Sequence, residues 1–133
     1  MQKIIEKIEA AQAAYIEAVA TKPQAEAQKL GAEVKALRQE LAAKIAEGAV
    51  PCSVRWFVDK AAGLVPGKGC GNLPHGILQP NGFEICCLAC GDARPRAHRP
   101  RGLFREQAVA AWNVEHDPST RDAAIKRRLG GVQ

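Results

Sequence analysis

Ile85-Cys86-Cys87-Leu88-Ala89-Cys90-Gly91 puts three of the chain's five cysteines into one short stretch. Cys87 and Cys90 have two residues between them, a spacing that lets a chain reversal aim two thiolates at one tetrahedral ion. A structural ion of that kind needs four donors. Upstream, Cys70-Gly71 repeats the Cys-Gly ending of Cys90-Gly91, but the position three before Cys70 is Gly67. The missing donor is therefore sought among Cys52, His75, Cys86 and His98. Cys86 adjoins Cys87 and points to the opposite face of an extended chain. Cys52 follows Pro51 and opens an insertion that closes at Cys70, so the two can form a stretched knuckle. The expected set is Cys52, Cys70, Cys87 and Cys90 holding one structural Zn2+, with His75, five residues past Cys70, as the rival fourth ligand. The glycine-rich backbone between Pro66 and Pro80 suits a knuckle whose amides turn toward thiolates.

With 133 residues, there is room for one modest domain or for a helical arm and a small module. Aromatic residues make up only 5%, so the core is thin and a metal or an oligomer contact is expected to add stability. No apolar run approaches the roughly 20 residues that span a bilayer, and the first residues lack a basic-then-apolar leader pattern. The expectation is a cytoplasmic, non-membrane protein, where clustered thiols serve as metal ligands. The odd cysteine count also argues against a complete disulfide framework. The net charge of +5 is uneven. Residues 1–50 hold seven basic and seven acidic groups, so the excess lies in residues 51–133, with twelve against seven. A basic surface favours nucleic acid or an acidic protein partner.

The predicted fold class is α+β: an N-terminal helical hairpin or coiled-coil arm over 1–48, a zinc-ribbon-like module over 49–116, and a short basic helix or tail over 117–133. Ile5, Ile8, Gln12, Tyr15 and Val19 recur at helical steps in residues 2–20. Thr21 and Gln24 resemble a capping box that restarts a helix over about 22–47, with Pro23 in its first turn. There Ala27, Leu30, Val34, Leu37 and Leu41 alternate four and three apart, while Glu26, Glu33, Glu40 and Glu47 repeat every seven. The first helix's register misses the second by one residue across Pro23, which favours an antiparallel hairpin over a straight rod. Such helices either pack internally or serve for homodimerisation or docking. Ser53 is expected to cap a short helix, with Val54, Phe57, Val58, Ala61 and Ala62 on one face and Gly63 closing it. Residues 77–85 read as a β-hairpin turning at Asn81-Gly82. Asp92 to Arg101 is expected to form an extended basic loop, Leu103 to Asn113 a helix, and Ser119 to cap a last short helix.

Cys87-Leu88-Ala89-Cys90-Gly91, then Ala93-Arg94-Pro95, then Glu106-Gln107-Ala108-Val109-Ala110-Ala111-Trp112-Asn113 resembles the Lar-type restriction alleviation family of phage and bacterial zinc-ribbon proteins. That family's first knuckle is Cys-Pro-x-Cys-Gly, of which Cys70-Gly71 keeps only the second half. The resemblance covers residues 67–113. It implies a mobile-element protein that blunts host restriction of incoming DNA.

The leading expectation is therefore a non-enzymatic, phage-type modulator that binds and inhibits a host nucleic-acid-targeting complex, by restriction alleviation or as an anti-CRISPR. Arg94, Arg96, Arg99, Arg101, Arg105, Trp56 and Phe57 are its candidate partner-binding residues, Arg and aromatic side chains being the usual interface anchors. The alternative is a regulatory nucleic-acid-binding zinc ribbon that uses the basic loop 94–105 on phosphates. No aromatics interleave those arginines for base stacking. No paired carboxylates, phosphate loop or open metal site points to an enzyme.

Overall fold

The computed structural model describes residues 1–91, 93–94 and 99–130. They form two compact units, Met1–Lys44 and Ile45–Gln133.

The first unit is helical. Helix α1 spans Gln2–Thr21 and α2 spans Gln24–Ile45, the latter's last residue counting with the second unit. Ile8, Ala11 and Ala18 of α1 and Ala27 and Val34 of α2 are buried. The two helices run antiparallel: a Cβ at Gly31 would sit 3.1 Å from the Tyr15 ring. Further along, with its amide turned to satisfy both groups, Gln12 accepts from Arg38 Nε at 3.3 Å. Partners that rise in number along one helix fall along the other, as in a hairpin. The Thr21 cap does not form. Its hydroxyl donates back to the Glu17 carbonyl at 2.8 Å, inside α1. The Pro23 carbonyl instead accepts from Glu26 and Ala27 N–H and opens α2. A proline there costs nothing, because the first helical N–H groups have no intrahelical acceptor.

The second unit contains two small antiparallel sheets and two helices. Strands β1 (Val54–Asp59) and β2 (Gly63–Lys68) make a two-stranded hairpin in which Trp56 faces Pro66. This replaces the expected helix after Ser53. Val54 and Trp56 are buried while Arg55 and Phe57 are exposed, a period of two that the β-branched and aromatic run Val-Arg-Trp-Phe-Val favours. The Asp59 carboxylate accepts from the Ala61 and Ala62 N–H groups, both at 2.8 Å, and so folds the turn into Gly63.

Strands β3 (His75–Gln79), β4 (Gly82–Cys86) and β5 (Arg101–Gly102) form the second sheet in that order. The expected hairpin is present, but Gln79 pairs with Gly82, so Pro80-Asn81 is the loop and Gly82 begins the return strand. Proline fixes a negative φ, which the expected Asn-Gly turn one residue later would not have used.

Helix α3 (Arg105–His116) packs on β4 and β5, and α4 (Arg121–Gly130) packs on α3. The helix α3 runs three residues past the expected Asn113, because Pro118 rather than Asn113 marks its end. Ser119 does not cap α4; both its N–H and its hydroxyl donate to the Asp117 carboxylate, which turns the chain between the helices. Hydrogen bonding to Ser119 holds the Asp117 carboxyl below its ordinary range.

Trp112 is the centre of this unit at 1% exposure. Its indole Nε1 donates to the Val50 carbonyl at 2.8 Å, and its ring stacks on His116 with centroids 3.5 Å apart. Asn113 brackets the same segment, accepting from Val50 N–H at 2.9 Å and donating to the Gly48 carbonyl at 3.1 Å. One turn later His116 accepts from Ser53 N–H through Nδ1 and from the Ser53 hydroxyl through its carbonyl. The C-terminal half of α3 thus clamps residues 48–53 in place. Among the described residues, no helix is long and apolar enough to cross a membrane. Replacing Trp112 by Ala should lower the unfolding free energy by about 3–5 kcal/mol, the usual range for emptying a buried aromatic site. The same change at exposed Phe57 should cost well under about 1 kcal/mol in the same denaturant titration.

Candidate metal centre

The clamp on residues 48–53 delivers Cys52 to the base of the β1–β2 hairpin. There Cys52 N–H donates to the Asn72 carbonyl and Gly71 N–H donates to the Cys52 carbonyl, both at 2.8 Å. Gly69 N–H donates to the Ser53 carbonyl at 3.1 Å. A Cβ at Gly69 would lie 2.6 Å from the Cys52–Val54 backbone, so only glycine lets the two chains cross this closely. The whole β1–β2 hairpin is therefore an insertion between the two cysteines of one knuckle. Cys87 and Cys90 sit in the tighter turn that follows β4. Each knuckle ends on a glycine with positive φ, Gly71 at 77° and Gly91 at 68°. The repeated Cys-Gly thus has a backbone cause: the left-handed residue turns the chain away after its thiol.

These turns place the Sγ atoms of Cys52, Cys70, Cys87 and Cys90 all within 4.8 Å of one another. Cys52 Sγ lies 3.5 Å from Cys90 Sγ, and Cys70 Sγ lies 3.5 Å from Cys87 Sγ. A regular tetrahedron with metal–sulfur bonds of about 2.3 Å has sulfur–sulfur edges of about 3.8 Å. The four sulfurs therefore lie close enough together to bind one metal ion. His75 is not in this set; it pairs with Cys86 at the start of β3. Cys86 is buried outside the set. His98 and Arg96 lie outside the described residues.

The four thiols differ in environment. Cys52 is 2% exposed and burial pushes its thiol up, whereas Cys70 is exposed. Hydrogen bonding, first from the Asn72 backbone and then from Cys90, lowers Cys70 to about 6. The Asn72 side-chain amide also donates to its sulfur at 3.3 Å. Burial raises Cys90. Because its folded pKa lies below the ordinary 9.0, the Cys70 thiolate stabilises the metal-free fold fully above that value. The contribution fades as pH falls through about 6.

The partner-binding candidates divide. Trp56 is 2% exposed, and its Nε1 donates to Glu115 Oε1 at 2.5 Å. Arg94 is 3% exposed, and its Nη1 donates to the same oxygen at 2.5 Å. The Arg94 guanidinium lies 5.6 Å from the Trp56 ring centre and that of Arg128 lies 5.5 Å from it. Arg128 also approaches Glu115 Oε2 at 3.6 Å. Trp56 and Arg94 thus belong to the interior, not to the surface on which they were expected. Arg99 lies 3.7 Å from the buried Glu84 carboxylate. Arg105 donates to the Glu47 carbonyl at 2.6 Å and to that of Ile45 at 3.4 Å. Arg101 and Phe57 remain exposed.

Glu115 and His116 are the residues that sequence reading missed. The one signal that could have found them was Pro118, which extends α3 far enough to include both.

Metal content should fall to background in Cys70→Ser, Cys87→Ser and Cys90→Ser and persist in Cys86→Ser and His75→Ala. In metal-free protein, alkylation should reach Cys70 first, with a rate profile centred near pH 6; Cys52 reacting first would contradict the assignment. Glu115→Ala should cost about 3–5 kcal/mol in a denaturant titration, because it removes the buried carboxylate to which Trp56 and Arg94 both donate. Comparison with family models, with curated proteins and with solved structures finds no match for this chain.

Proposed function

We propose that the second unit is a zinc-stapled, non-catalytic interaction module, and that the protein is a phage-type modulator of host defence acting by protein contact. The observation that carries the first half is the closed donor set. Four cysteine sulfurs within 4.8 Å of one another would fill a four-coordinate ion's shell and leave no position for water or substrate, as at a structural metal. An all-thiolate tetrahedral set selects zinc or an iron–sulfur centre, and the paired knuckles support zinc.

The second half rests on the Lar-type pattern, whose residues have physical work in this fold. Cys87-x-x-Cys90-Gly91 forms one knuckle, and Trp112-Asn113 holds the segment that leads into Cys52. Restriction alleviation and anti-CRISPR activity both require binding to a host complex. Exposed Phe57 and Arg101 are the anchors that survive from the sequence-based set.

The nucleic-acid reading draws on the +5 charge, all of it in residues 51–133. It is disfavoured because Arg94, Arg99 and Arg105 engage Glu115, Glu84 and backbone carbonyls respectively. A phosphate-binding loop would leave such groups facing outward.

Purified protein should contain one zinc per chain, and iron in its place would overturn the assignment. Affinity capture from a host lysate should recover a nuclease or surveillance complex, with recovery reduced by Phe57→Ala and Arg101→Ala. Steeply salt-dependent DNA or RNA binding in the absence of such a complex would instead favour the alternative.

A further inference from the structure

Among the four clustered thiols, Cys70 alone is exposed; Cys52 and Cys87 are buried and Cys90 is half-buried. Two sulfur pairs from opposite knuckles lie at 3.5 Å, Cys70 with Cys87 and Cys52 with Cys90. The chain spacing Cys87-x-x-Cys90 would suggest a disulfide within one knuckle instead. Cys86 is 2% exposed, sits in β4 opposite His75, and lies outside the cluster. An exposed sulfur with a second, buried sulfur 3.5 Å from it supplies the two parts of a peroxide-reactive dithiol.

We infer that Cys70 is an oxidative modification site for hydroperoxides and that Cys87 is its resolving partner, so that oxidation opens the metal centre through cross-knuckle disulfides. The Cys70 sulfur attacks one oxygen of hydrogen peroxide, the O–O bond breaks, and hydroxide leaves, giving a Cys70 sulfenic acid. The Cys87 sulfur then attacks the Cys70 sulfur, the S–S bond forms, the S–O bond breaks, and a second hydroxide leaves. With two protons from solvent, one peroxide becomes two waters and two thiolates become one disulfide. Two donors are then lost together and the remaining pair cannot close a tetrahedral site. A second peroxide oxidises Cys52 and Cys90 in the same way once they are uncovered. A dithiol reductant then cleaves each disulfide by thiol–disulfide exchange, restoring both thiols and itself leaving as a disulfide.

This inference rests on the metal-centre reading, and one experiment separates the two. The intact chain, with its zinc content measured first, is titrated with hydrogen peroxide while a chromogenic chelator reads zinc. Unreduced samples are then cleaved after lysine, arginine and Glu84, which separates Cys52, Cys70 and the Cys86–Cys90 stretch, and fragmentation assigns the linked residues. The first equivalent of peroxide should release one zinc per chain and link Cys70 to Cys87; a second should link Cys52 to Cys90. Cys86 should stay open to alkylation throughout, and Cys86→Ser should show the same release and the same links. A first disulfide between Cys87 and Cys90, any disulfide through Cys86, or zinc retained under excess peroxide would overturn the proposal. Protein isolated without zinc would overturn the metal reading alone, since the same digest of the metal-free chain still reports which sulfurs pair.

Discussion

Four sulfurs within 4.8 Å of one another cannot all be thiolates unless a cation lies among them. Like charges at that spacing in a partly buried site repel strongly. One thiol, Cys70, is biased toward the thiolate by amide hydrogen bonds, while burial holds Cys52 and Cys90 toward the neutral form. A metal resolves this conflict by taking all four charges at once. Its binding energy then becomes folding energy for the two knuckles and for the hairpin inserted in one of them. A module with so few aromatic residues has few other means of fixing its loops.

The second fastening is a buried carboxylate. Glu115 Oε1 receives an indole N–H from β1 and a guanidinium N–H from Arg94, and Arg128 of α4 approaches Oε2. Three segments distant in sequence therefore meet at one side chain. Such a cluster adds little net stability over a well-packed apolar one, but it is costly to break and it admits one arrangement. It also uses, inside the molecule, charges that a count along the chain assigns to the surface. Arg94, Arg99 and Arg105 all look like parts of a basic loop, and all three are engaged by carboxylates or carbonyls. Those three side chains are therefore not free to meet phosphates as a solvated basic loop would.

What the sequence by itself determined were features with local causes. Helical periodicity and Pro23 mark the two N-terminal helices, alternation and a tight loop mark the β3–β4 hairpin, and Cys-Gly marks each knuckle's end. The run from Val54, expected as a helix, is strand β1, with Val54 and Trp56 buried and Arg55, Phe57 and Val58 exposed. Its apolar residues fit a helical face equally well, and a short run satisfies both periods. Only the tertiary structure decided the rest. Cys52 rather than His75 completes the sulfur set because Trp112, Asn113 and His116 pin residues 48–53 from more than fifty positions away. Trp56 and Arg94 are interior because Glu115 lies between them, and no local pattern tells a buried counter-ion from a solvated one. Long-range hydrogen bonds made those choices, and their partners carry no signature in sequence spacing.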